Sequence, residues 1–112
     1  GMTTNIWNEF LQEIQREDGD LWQVLREDLR WDRERYDRFC DTLEKALRGS
    51  SVHDVVPRAI VCIPDTIDSI VGMMSRPDFL DHDCGLSKCE LTVCLQNLRR
   101  LRYLLVNGVD EP

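Results

Sequence analysis

The sequence predicts an all-α fold, a bundle of four or five antiparallel helices including one long charged helix, and three observations carry that reading. Apolar residues recur at spacings of three and four through most of the chain. Glycines 19, 49, 85 and 108 fall where amphipathic segments stop or start. Only residues 59–63 read as a strand, with β-branched Ile60, Val61 and Ile63, and a lone strand has no partner to pair with.

The first helix is predicted over residues 5–18, with Ile6, Phe10, Leu11 and Ile14 on one face. Thr4 or Asn5 can cap it, and Gly19 can end it in the left-handed conformation. Gly1 ahead of Met2 reads as the remnant of an expression tag.

The second helix, over about 20–48, is the most informative segment. Fifteen of its 29 residues are charged, eight acidic and seven basic, yet Leu21, Leu25, Leu29, Tyr36, Phe39, Leu43 and Leu47 keep a helical beat. Asp20 suits the N-cap, and Lys45 and Arg48 suit the negative helix end. A straight helix of that length spans about 43 Å, whereas a compact chain of this size is roughly 35 Å across. Such a helix must overhang the domain, kink, or lie along a partner. The beat fails at Asp32, and on a continuous helix Trp31 points about 160° away from the Leu29–Tyr36 line. Either the helix bends there or Trp31 meets something outside the core.

The third segment is expected to form a short helix near 52–56, a helical turn or two over 57–63 and a helix over about 64–75. Pro57 and Pro64 suit first-turn positions, and Ile67, Ile70, Val71 and Met74 are in phase. Residues 77–85 read as a helical turn and an acidic loop. The last helix has the sharpest signal: Ser87 and Glu90 form a capping box, Leu86 and Leu91 a hydrophobic staple. Leu91, Leu95, Leu98, Leu101 and Leu105 supply its buried face, and Asn107-Gly108 ends it, leaving 109–112 as a frayed tail.

Composition bounds function more than it defines it. The 112 residues make one domain, 42% hydrophobic and 31% charged, as in ordinary globular proteins. No apolar run approaches a membrane span, and no secretory signal is visible. The net charge of −7 argues against nucleic acid, which requires a basic face. The charge is uneven: −3 over 1–19, −1 over 20–48, −4 over 49–85 and +1 over 86–112. Five cysteines, an odd number, fit free thiols in a reducing cytoplasm.

Chemistry is sparse. His82, Cys84 and Cys89 can converge as zinc ligands, but Cys94 lies about 140° round the helix from Cys89 and there is no Cys-x-x-Cys pair. These three are weak metal candidates, and Cys89 near a helix N-terminus also carries a thiol-sensor reading. His53 and His82 each adjoin an aspartate, which is not a catalytic pairing. No nucleophile elbow, phosphate loop or zinc-protease motif is present. No enzyme, cofactor or catalytic residue is therefore expected.

Tryptophan and tyrosine favour interfaces because they join large apolar area to a polar group. Trp22, Trp31 and Tyr36 are the interface candidates, with Trp31 foremost. The expected function is a non-enzymatic, self-associating interaction module, a homodimer through helix 20–48. The alternatives are an acidic inhibitor or immunity-type protein masking a basic partner, and a thiol or metal sensor.

Overall fold

The computed structural model describes residues 6–50, 56–79 and 85–108. Among them are five α-helices and no strand: α1 (Asn8–Ile14), α2 (Leu21–Asp28), α3 (Arg33–Gly49), α4 (Ile63–Met74) and α5 (Lys88–Asn107), with a 3-10 helix over Arg58–Cys62 leading into α4. The all-α bundle predicted from the sequence is what the chain forms. No helix among the described residues is long and apolar enough to cross a membrane.

The 20–48 stretch is two helices rather than one. Asp20 caps α2 by accepting from the Gln23 N–H, as expected. The helix ends at Leu29, which adopts the left-handed conformation (φ 52°, ψ 33°) usually left to glycine. Asp32, where the apolar beat fails, is the cap of α3: its carboxylate accepts from the Arg35 N–H at 2.9 Å. The break also turns Trp31 inward, so that its ring packs on Tyr36 with centroids 5.0 Å apart. A straight helix would have directed that indole away from the core; the break buries it.

The left-handed Leu29 has a measurable consequence. A branched side chain there costs about 1–2 kcal/mol, while Leu29 is 41% exposed and contributes little burial. Leu29→Gly is expected to raise stability by about 0.5–1 kcal/mol, the strain relief being partly offset by the entropy of a more flexible unfolded chain. Urea unfolding checks this, and a loss of stability would refute the strain.

α1 is shorter than predicted and presents a different face. Thr4 and Asn5 lie outside the described residues, and Trp7 stands at the N-cap without a side-chain capping bond. Arg16 grips the Asp18 carboxylate with two 2.9 Å bonds and Glu13 with a third, which holds residues 15–18 in a turn. Trp7, Phe10 and Glu13 are the buried residues, while Ile6, Leu11 and Ile14 are only partly covered. Glu13 can be buried because Arg16 and Arg38 each donate to it, at 2.9 and 2.8 Å. Gly19 is left-handed (φ 90°), but it lies five residues past Ile14 and does not end the helix as expected.

Gly49 is the last residue of α3, and its value lies in close approach: a Cβ there would overlap the Ile6 Cδ1. The strand-like run settles as a 3-10 helix with one residue in three inward. Ile60 and Ile63 are buried while Val61 is 74% exposed. Pro64 occupies the first turn of α4, as its missing N–H predicts. The short helix expected near 52–56 falls largely outside the described residues, as does the 109–112 tail. On α5, Ser87 accepts from the Glu90 N–H, but the Glu90 carboxylate pairs with Arg33. Cys94, Leu98, Leu101 and Leu104 form its buried line, with Leu91, Leu95 and Leu105 at the edges.

Packing closes into a ring: α3 against α5, α5 against α4, α4 against α2 and α2 against α3, with α1 laid on α3. The cross-helix pairs set directions. Lys45 meets Glu9 and Arg38 meets Glu13, so α1 and α3 are antiparallel. Arg102 meets Asp68, in line with the antiparallel α4 and α5 of an up-down chain. Arg33 meets Glu90 and Glu44 meets Arg100, so α3 and α5 run parallel, as alternate helices of such a chain do. Leu25, Leu43, Ile67, Ile70, Leu98 and Leu101 fill the centre of the ring at no exposure.

Candidate functional site

The parallel arrangement of α3 and α5 brings their N-terminal turns together at one end of the bundle and their C-terminal turns together at the other. Each end carries a cleft.

At the first end, Trp31, Tyr36, Asp37, Cys89, Val93 and Cys94 line a pocket of about 260 Å³, bridged at its rim by Arg33 and Glu90 at 3.2 Å. Two of the three interface candidates, Trp31 and Tyr36, thus meet at one place. Both are core residues of the chain, less than a tenth exposed, and both line the pocket. Trp22 is elsewhere, half-buried on α2 beneath the Arg26 guanidinium at 5.7 Å from the ring centre.

The Tyr36 hydroxyl accepts from the Asn97 amide at 3.1 Å. Asn97 accepts in turn from Arg100, whose guanidinium forks onto Glu44 at 2.8 and 2.9 Å. That Arg100 hydrogen bond, ahead of other influences, holds the Glu44 carboxyl below its usual range. The tyrosine hydroxyl titrates above its ordinary value, burial being the main cause and the neighbouring Cys40 thiol a lesser one. Burial pushes Cys40 up to about 12 and raises Cys94 as well. Neither is a thiolate at neutral pH, so neither supplies a ready nucleophile.

Cys62 and Cys89 are the exposed thiols among the described residues, all of whose cysteines are free. Iodoacetamide at neutral pH is expected to label Cys62 and Cys89 within minutes and to spare Cys40 until urea unfolds the chain. Peptide mapping by mass spectrometry checks it, and early labelling of Cys40 would contradict its burial. Of the weak metal candidates, Cys89 stands on the first turn of α5, whereas His82 and Cys84 lie outside the described residues. No group of three potential metal ligands occurs among the described residues.

The second end was not signalled by the aromatic residues. Leu47, Val56, Ile60, Val61, Leu105 and Val106 surround a largely apolar cleft of about 400 Å³, over Trp7 and the C-terminal turns of α3 and α5. Val56, Val61 and Val106 are 50%, 74% and 56% exposed. The sequence carries a faint sign of this: Val61 and Val106 are apolar residues out of phase with the buried lines of their own segments.

Ion pairs cover much of the remaining charge, but not all. Glu34, Asp37 and Asp41 lie along the exposed side of α3 without an ion pair among the described residues. No family model, curated protein or solved structure matches the chain.

Proposed function

We propose that the chain is a non-enzymatic helical interaction module that self-associates as a homodimer through the valine-rimmed cleft at the C-terminal ends of α3 and α5. The observation that carries this reading is the gathering of three exposed valines around one apolar cleft. Scattered exposed apolar residues need no explanation, whereas a contiguous apolar patch rimmed by polar surface marks a contact site. The contact lies at the far end of α3 from Trp31 and Tyr36, which are committed to the chain's own core. A net charge of −7 supports protein rather than nucleic acid as the partner. Free cysteines suit a reducing, cytoplasmic setting.

Sedimentation equilibrium tests the reading. The expected mass rises with concentration towards twice 13.1 kDa. The double variant Val61→Glu, Val106→Glu is expected to stay monomeric with stability changed by less than about 0.5 kcal/mol, since both sites are exposed. A parent chain that is monomeric at every concentration, or a variant that dimerises equally well, would end the proposal.

The unpaired Glu34, Asp37 and Asp41 favour a second reading, an acidic module that masks a basic protein partner. Its mark is association that weakens as salt is added. Apolar self-association would hold or strengthen instead.

A further inference from the structure

We propose that the pocket between the N-terminal turns of α3 and α5 binds a small organic ammonium ion, an amine carrying one aromatic ring or a short alkyl group. The inference is independent of the homodimer reading, which concerns the opposite end of the bundle.

Size comes first. At about 260 Å³ the pocket falls just below the roughly 300–1,000 Å³ of sites for drug-sized ligands, so its occupant is a single ring or chain. Its walls combine two aromatic side chains, Trp31 and Tyr36, tilted by 44°, with the thiol-bearing Cys89 and Cys94 and the aliphatic Val93. Aromatic faces attract cations through their quadrupole, most strongly for tryptophan. Sulfur is polarizable and accommodates irregular apolar shapes.

Charge then selects the sign of the ligand. Three ionised side chains line the pocket: Arg33, Asp37 and Glu90. Arg33 is matched by Glu90 at 3.2 Å, and Asp37 has no ion pair among the described residues. One negative charge is therefore left over at the mouth of an aromatic pocket, and Glu34 and Asp41 extend it along the same exposed side of α3. The N-terminal turns of α3 and α5 and the Lys88 ammonium add positive charge nearby, but Glu34, Asp37, Asp41 and Glu90 outnumber Arg33 and Lys88. A neutral ring would gain only the apolar contact, whereas a cationic one gains the aromatic walls and Asp37 together.

The chain also has a reason to keep this pocket shaped. The Tyr36 hydroxyl is held by Asn97, and Asn97 by the Arg100–Glu44 fork, so one aromatic wall is fixed by bonds that reach both α3 and α5. A preformed wall lowers the ordering cost of binding.

Nuclear magnetic resonance titration with phenethylammonium as the probe, and 2-phenylethanol as its neutral counterpart, tests the site. The ammonium is expected to shift the Trp31 indole N–H and the amides of Cys89, Val93 and Cys94, and to bind about tenfold more tightly than the alcohol. Asp37→Asn, at an exposed position, is expected to bring the ammonium down to the level of the alcohol. Val93→Trp, at the exposed mouth, is expected to abolish both by filling the opening. Equal affinity for the two probes, an unchanged affinity in Asp37→Asn, shifts centred on Val61 and Val106, or no shift at the solubility limit would each overturn the proposal.

Discussion

Phe10→Ala is expected to remove about 3–5 kcal/mol of stability, the range for deleting a fully buried aromatic ring. Phe10 has no exposure and lies edge-on between Trp7 and Phe39, with ring centroids at 6.4 and 5.2 Å. It is the main apolar link from α1 to α3. With seven residues and no side-chain cap, α1 is far below the length at which an isolated helix persists. Its helical state therefore depends on docking, and the loss should be local as well as global. Domains of this size have about 5–15 kcal/mol in total, so the variant should unfold at markedly lower urea. Phe10→Leu, which keeps most of the volume, should cost about 1–1.5 kcal/mol. Hydrogen exchange adds a second readout: α1 amides should lose protection in Phe10→Ala while those of α4 and α5 keep theirs relative to global opening. A loss below about 1 kcal/mol, with α1 still protected, would mean that α1 is not held by this ring.

The fold was legible where one signal dominated. Ser87, Asp20 and Pro64 each mark a helix start by short-range chemistry, and each lies where it was expected. Residues 29–32 were half legible. The failed beat located the break, but the beat on either side looked continuous because Leu29 and Tyr36 stay in phase across it. Deciding between bend and straight helix required knowing what Trp31 could pack on, and Tyr36 answers that only in three dimensions. Glu13 was illegible for a different reason. A carboxylate on an apolar face reads as solvent-exposed unless its cations are known, and one of them, Arg38, is 25 residues away in the chain. The same holds for both clefts. Their walls come from segments brought together by the parallel packing of α3 and α5, which no local spacing encodes.

Arg35→Met is expected to cost about 2–4 kcal/mol, because this arginine ties α3 and its cap to the Asp18–Gly19 link between α1 and α2. Its guanidinium donates to the Gly19 carbonyl at 2.8 Å, the Asp18 carbonyl at 3.1 Å and the Asp32 carboxylate at 2.6 Å. It also pairs with the Asp18 carboxylate at 3.0 Å while only 11% exposed. Methionine keeps the packing of the stem but leaves the buried Gly19 without its donor, and an unmade buried hydrogen bond costs about 1–3 kcal/mol. Arg35→Lys should recover little of this, since a single ammonium cannot reach carbonyls and carboxylates in several directions at once. The pH dependence separates the carboxylate pairing from the carbonyl hydrogen bonds. Asp32 is held below the usual carboxylate range, first by the Arg35 backbone N–H and then, after desolvation opposes it, by the Arg35 side chain. A carboxyl with a depressed folded pKa adds stability above its unfolded value, near 3.9, and loses it as pH falls through the folded value. The backbone part survives in Arg35→Met and the side-chain part does not. The stability gap between parent and variant should therefore be widest at neutral pH and narrow as pH falls below about 4. Urea unfolding at a series of pH values measures the gap directly. A gap that stays constant into acid would assign the whole effect to the carbonyl hydrogen bonds and refute the charge clamp.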